Sequence, residues 1–185
     1  MKTSARPHSS IQWQPAERLG QLSMDSRLRP WLIGNRLLTE RMRTLCGARY
    51  ALEVIDHFSG GISDEQRSAM RVSDTAGLLR DIELRCGTTV WVFGRTIVPD
   101  STLETHSWLA ELGDSALSET LSDLSGVERS SYEYAWLPAT DPMCERALRD
   151  ADIRPAGLWA RRARISIRNS PLLAQELFLP AMGRT

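Results

Sequence analysis

Three charged side chains stand where a strand pattern calls for apolar ones. In Leu78-Leu79-Arg80-Asp81-Ile82-Glu83-Leu84-Arg85-Cys86, alternation groups Arg80 with Leu78, Ile82, Leu84 and Cys86. Asp81, Glu83 and Arg85 fall on the other side, as solvent-facing residues should. Arg95 shares a face with Trp91, Phe93 and Ile97, and Glu176 shares one with Leu172, Ala174 and Phe178. An ionised group in apolar surroundings is costly unless it is paired or hydrogen-bonded. The simplest reading is a buried network in which Glu176 satisfies both arginines. Two Arg against one Glu leave a surplus positive charge, however, and Arg is suited to bind carboxylates bidentately. The pattern therefore points to a closed pocket for a small organic anion, without naming the anion.

Other candidates carry less. Arg161-Arg162-Ala163-Arg164 reads as a solvated strand face rather than a phosphate or nucleic-acid patch. Gly60-Gly61 lacks the strand and helix context of a nucleotide loop. No nucleophile motif such as GxSxG is present. Cys46, Cys86 and Cys144 are an odd set without CxxC spacing, which argues against a disulfide framework or a zinc site and fits a reducing compartment. His8, His57 and His106 have no ligand-like spacing. Acids and bases balance at 23 each, so bulk charge argues for neither nucleic acid nor an anionic membrane. No apolar run reaches transmembrane length, and the first twenty residues contain no apolar signal core. The expectation is a soluble, cytoplasmic protein.

The elements that must position these charges follow from periodicity. Residues 1–25 are polar, with Pro7 and Pro15, and read as an irregular arm before one domain over 26–185. Pro30 to Leu45 reads as one helix ended by Gly47. Strands are expected at 49–58, 78–86, 91–98, 127–137, 159–168 and 172–179, with turns at Gly87-Thr88-Thr89 and Asn169-Ser170-Pro171. A short helix is expected over 64–70. Ser101 with Glu104 suggests a capping box for another, a third lies within 115–124, and Asp141-Pro142 starts a fourth. About six strands without a βαβ rhythm give an α+β fold with a largely antiparallel sheet.

Several blocks then resemble one family. Trp91-Val92-Phe93-Gly94-Arg95-Thr96-Ile97-Val98-Pro99 with Ser101-Thr102-Leu103 looks like a signature of the bacterial chorismate pyruvate-lyases. So do Ala156-Gly157-Leu158-Trp159-Ala160-Arg161-Arg162-Ala163-Arg164 and Glu176-Leu177-Phe178-Leu179-Pro180-Ala181, and Leu79-Arg80-Asp81-Ile82 resembles the family's Leu-Arg-acid-Ile segment. The resemblance runs from about Trp31 to Ala181. It implies a six-stranded antiparallel sheet with helical flaps over a buried site, and conversion of chorismate to 4-hydroxybenzoate and pyruvate for ubiquinone synthesis. It implies no cofactor and no metal.

Residue by residue, the resemblance gives Arg80 the ring carboxylate and Glu176 the ring hydroxyl. Arg95 is placed near the enolpyruvyl side chain. The backbone N–H groups of Leu38 and Leu117 help hold the carboxylate; relatives have Met at the position of Leu38. The implied partners are chorismate and 4-hydroxybenzoate, without nucleic acid or membrane insertion, and a monomer is expected. The arm is longer than the family's, and 141–154 looks like an insertion that leaves the matched charges untouched. The rival readings are a family member acting on a related substrate and a non-catalytic domain of the same fold that binds an aromatic-acid effector in a transcription regulator. Such domains follow a winged helix, for which the expected arm is too short.

Overall fold

The computed structural model describes residues 11–21, 24–34, 37–151 and 153–184. Its centre is one sheet whose strands pair antiparallel throughout. The strands are β1 (Gln14–Pro15), β2 (Tyr50–Gly61), β3 (Ala76–Cys86), β4 (Thr89–Pro99), β5 (Val127–Arg129), β6 (Glu133–Pro138), β7 (Gly157–Ile167) and β8 (Ser170–Phe178). They lie in the order β1-β6-β7-β8-β4-β3-β2, with β5 also on β7.

The sheet thus has eight strands, not six. One addition is β1, inside the expected arm, which pairs with β6. Nearby Leu19 is only 1% exposed, so this part of the arm is built into the core. The other comes from the single strand expected at 127–137, which is broken into β5 and β6. Arg129 and Glu133 are four residues apart, while their β7 partners Ile165 and Arg162 are three apart. One residue is in excess, so the chain leaves the ladder between them.

Helices cover both faces. On one lie α1 (Arg29–Ile33), α2 (Leu38–Cys46) and α5 (Leu117–Ser122). Leu32, Leu38 and Met42 pack there against Leu84, Val92 and Phe178, and Leu117 and Leu121 pack against Ile165 and Leu172. On the other lie α3 (Asp64–Met70) and α6 (Pro142–Ala147). Met70 meets Leu79, Ile97 and Leu173, while Met143, Cys144 and Ala147 meet Phe93 and Leu177. Asp81 and Glu83 are therefore buried, at 0% and 8% exposure, rather than solvent-facing.

Local signals explain most boundaries. Pro30 opens α1, but the expected long helix is two, because α2 starts afresh after an extended Leu37. Gly47, at a φ of 56° that favours glycine, ends α2. Ser63 and Gln66 form a capping box on α3, and Asp141 accepts hydrogen bonds from Met143 and Cys144 at the start of α6. The capping box expected at Ser101 is absent: α4 (Asp100–Thr105) is capped from outside, Asp74 accepting from the Ser101 N–H at 2.9 Å and hydroxyl at 3.0 Å. That N–H holds the Asp74 carboxyl below its ordinary value. The contact adds stability above the unfolded carboxylate range and loses it as pH falls. The last hairpin turns through Arg168 and Asn169, both at positive φ as a two-residue type I′ turn requires, one residue before the expected site.

The expectation of free cysteines is overturned for two of the three. Cys46, at the end of α2, and Cys86, at the end of β3, form a disulfide with Cα atoms 5.5 Å apart. They are 40 residues apart in sequence, so no local spacing announces the pair. Only Cys144 is free; it is buried, and burial pushes its thiol up to about 11. Native protein is expected to titrate no thiol, unfolded protein one, and reduced unfolded protein three. Closing a 40-residue loop is worth about 4 kcal/mol, so a reductant is expected to lower Tm by about 10 °C. A melting temperature indifferent to reductant would remove the bond from the solution structure.

Candidate functional site

The face carrying α1, α2 and α5 encloses a cavity of about 90 Å³. Its floor is made by Ile82, Gly94, Thr96, Ala163, Ala174 and Glu176. Cross-strand register places these side by side: Ile82 opposite Gly94, Gly94 opposite Glu176, and Glu176 opposite Arg161. A Cβ on Gly94 would stand 2.9 Å from Ile82 Cγ1, so glycine keeps the floor open there. The roof is the start of α2, at Leu37, Leu38 and Thr39, and the start of α5, at Ala116, Leu117 and Ser118.

The two roof helices meet above the cavity. The Thr39 and Ser118 hydroxyls are 3.4 Å apart, and Arg43 on α2 pairs with Glu119 on α5 at 2.6 Å. Neither helix has a side-chain N-cap. The N–H groups of Leu38 and Leu117 lie in first turns, where no intrahelical acceptor exists. Both expected backbone donors therefore border one cavity.

Arg80 opens on the same face, opposite Thr96. Its side chain is not part of the cavity lining but runs under the loop that leads into α5, next to the Ala116–Ser118 stretch of the roof. One Nη donates to the carbonyls of Gly113 at 2.7 Å and Ser115 at 3.0 Å. The other, Nη1, is buried without a partner, and the residue is 3% exposed. Among the described residues no carboxylate lies within ion-pair distance of it. Burial pulls its guanidinium below the ordinary value, and the Asp114 carboxylate opposes this in part.

Glu176 stands at the other end of the cavity, bound by the Nε of Arg161. Arg161 is 1% exposed, and its Nη1 donates to the carbonyls of Trp31 at 3.2 Å and Leu32 at 3.1 Å. These sit near the C-terminal end of α1, where carbonyls lack helical partners. Burial disfavours the Arg161 charge, but Glu176 together with Tyr132 and Tyr134 leaves the group above its ordinary value. By strand spacing and rise, the Cα atoms of Arg80 and Glu176 are on the order of 12 Å apart, which leaves room for one para-substituted ring between the side chains.

Arg95 is not brought to this group. Its strand borders the cavity, but its side chain leaves on the far face, where Nε and Nη2 each donate to Asp81 at 2.7 Å. Arg146 of α6 binds the same carboxylate and Asp56. The segment expected to leave the matched charges untouched thus helps to hold one. The cause is a bulge. Arg85 pairs with Val90 and Leu84 with Val92, so one strand advances two residues where the other advances one. Without that slip Arg95 would face Arg80; with it, Arg95 faces Asp81.

The third charge of the pocket is instead Arg161, from the run expected to be a solvated face. Its neighbour Arg162 is also buried, at 6%, and pairs with Glu133 at 2.8 Å on the far face. The signal for Arg161 was present, since it alternates with Trp159, Ala163 and Ile165, as Arg80 and Glu176 do with their own apolar neighbours. Thr39 and Ser118 carry no comparable sequence signal.

A family sequence model described as chorismate lyase matches residues 8–183. A relative named "Probable chorismate pyruvate-lyase" from Nitrosomonas europaea is 30% identical, over 94% of this chain and 96% of its own. One of the same name from Nitrosospira multiformis is 28% identical, over 92% and 93%. Among solved structures, PhnF from Mycobacterium smegmatis aligns with a TM-score of 0.60 at 14% identity, over 81% of this chain and 66% of its own. The C-terminal domain of the histidine utilization repressor from Pseudomonas syringae aligns at 0.55 and 12%, over 72% and 94%. At such identities these two similarities concern the fold alone. Among the described residues, no helix is long and apolar enough to cross a membrane.

Proposed function

The chain belongs to the chorismate lyase family, and from that premise we propose that it cleaves chorismate to 4-hydroxybenzoate and pyruvate, a product that would feed ubiquinone synthesis. The observation that carries this reading is Arg80: a buried cation with no carboxylate partner among the described residues, one nitrogen unbonded, below the loop that leads into α5. Such a group favours an anionic guest that restores its missing bonds. The ring carboxylate of chorismate suits it, with the Leu38 and Leu117 N–H groups as further donors.

With the carboxylate there, the para hydroxyl points toward Glu176. The reaction breaks the bond between the ring carbon and the ether oxygen, which leaves with the enolpyruvyl group, and removes the hydrogen from the hydroxyl-bearing carbon. The enolpyruvyl methylene gains a proton and becomes the methyl of pyruvate, and the ring becomes aromatic. Glu176 orients the hydroxyl and is the group placed to take a proton. Arg161 fixes the direction of its carboxylate and ties it to α1. A concerted hydrogen transfer within the substrate needs only that the pocket hold the two parts in register.

Purified protein given chorismate, without added metal, is expected to release 4-hydroxybenzoate and pyruvate in equal amounts. Folded protein that releases neither would sink the reading. Binding of chorismate and 4-hydroxybenzoate without release would favour an effector-binding domain, which the regulators' similar fold allows.

A further inference from the structure

Chorismate carries two carboxylates, and the pocket described so far holds one. The ether oxygen and the hydroxyl sit on adjacent ring carbons. A substrate with its hydroxyl at Glu176 therefore places its enolpyruvyl carboxylate at the same end of the cavity. Arg95, the residue expected there, is turned away and saturated by Asp81. Arg161 is spent on Glu176 and two carbonyls.

One more cation borders that end. Arg129 pairs across the ladder with Ile165, so it emerges on the cavity face, and it lines the cavity while remaining exposed. Its Nη1 donates to the Tyr132 hydroxyl at 3.0 Å, and its guanidinium lies 5.0 Å from the Tyr132 ring centre. The opposite side of the same arrangement is Arg161, whose guanidinium is 4.4 Å from that ring centre and binds Glu176. Tyr132 thus spaces Arg129 one ring away from the Glu176 pair. Among the described residues no carboxylate lies within ion-pair distance of Arg129. Burial raises the Tyr132 hydroxyl above its ordinary value, with the Glu176 charge adding to this, so it stays protonated and can donate to a second acceptor.

We propose that Arg129, steadied by Tyr132, binds the enolpyruvyl carboxylate and so distinguishes chorismate from ligands bearing the ring carboxylate alone. This rests on the lyase reading and assigns the substrate's second anion. Arg129 sits at the mouth, where the enolpyruvyl arm would enter last and pyruvate would leave first. Its remaining guanidinium donors are free for a planar carboxylate, which is the match arginine makes best. The 130–132 crossing, forced by the excess residue between β5 and β6, sets Tyr132 beneath it.

The experiment compares wild type, Arg129→Gln and Tyr132→Phe. Steady-state kinetics give KM for chorismate; calorimetry gives Kd for 4-hydroxybenzoate, which lacks the second carboxylate. Arg129→Gln is expected to raise KM on the order of 10- to 100-fold, the worth of one charge-assisted contact, with the product Kd within twofold of wild type. Tyr132→Phe keeps the ring and is expected to give a smaller rise. Equal loss of affinity for both ligands, or an unchanged KM, would overturn the proposal. If wild type binds chorismate without turning it over, the enzymatic reading fails by itself; the ratio of chorismate to product affinity then tests Arg129 by the same criteria. Because Arg129 is exposed, its replacement leaves the core intact, and a melting curve verifies that.

Discussion

Glu176→Gln is expected to lower kcat for chorismate by about 10²- to 10⁴-fold, with a much smaller change in KM. The amide keeps the shape and can still hydrogen-bond to the ring hydroxyl, so ground-state binding survives. It cannot take a proton, and it gives Arg161 only a neutral acceptor. The second loss is structural. Arg161 is 1% exposed, and without the carboxylate it keeps only neutral acceptors, the Gln amide oxygen and the Trp31 and Leu32 carbonyls. Breaking a buried pair costs about 3–5 kcal/mol, but the Glu176 side chain is 26% exposed, so the loss belongs at or below the low end. Rates must therefore be measured well below the variant's own Tm, beside the affinity for 4-hydroxybenzoate. A kcat within tenfold of wild type would reduce Glu176 to an ion-pair partner of Arg161.

The contrast between Glu176 and Arg95 shows how far the sequence reaches. Alternation says which residues share a strand face, and for Arg80, Glu176 and Arg161 it marks a charge among apolar neighbours. It does not say on which side of the sheet that face lies. Two strands with the same pattern can put their odd charge above and below. For Arg80 and Arg95 the answer turned on one bulged residue near Trp91, a slip that leaves no mark in hydrophobicity. Asp81 shows a second limit. Its face also carries Glu83 and Arg85 and so reads as solvent-facing, yet Arg146 of α6 arrives from 65 residues later and that helix helps to bury it. Asp141-Pro142 was legible because the N–H groups that Asp141 caps lie within a turn, whereas the equally local Ser63–Gln66 box at the start of the helix expected over 64–70 was missed. The disulfide, the external cap on Ser101 and the meeting of α2 with α5 depend on contacts distant in the chain.

Asp81→Asn is expected to cost about 3–5 kcal/mol and to lower Tm by roughly 10 °C, without touching the cavity. Asp81 is 0% exposed and accepts from both Arg95 and Arg146. An asparagine leaves two guanidinium groups facing a neutral side chain, and only Arg146 has a second carboxylate, Asp56. Arg95→Met makes the opposite cut. Asp81 keeps Arg146, no charge is stranded, and the methionine fills space beside Phe93, Leu177 and α6. Its stability loss is expected to be smaller than that of Asp81→Asn, and its KM for chorismate unchanged. The pair separates a structural ion network from a substrate ligand. If Arg95→Met raised KM tenfold while Tm held, the Arg95 guanidinium would have to reach the cavity in the working enzyme, against the register of the β3–β4 hairpin. If both variants lower Tm in the expected order and spare KM, the far-face network serves to hold that register. The same register places Gly94, Thr96 and Ile82 on the cavity floor.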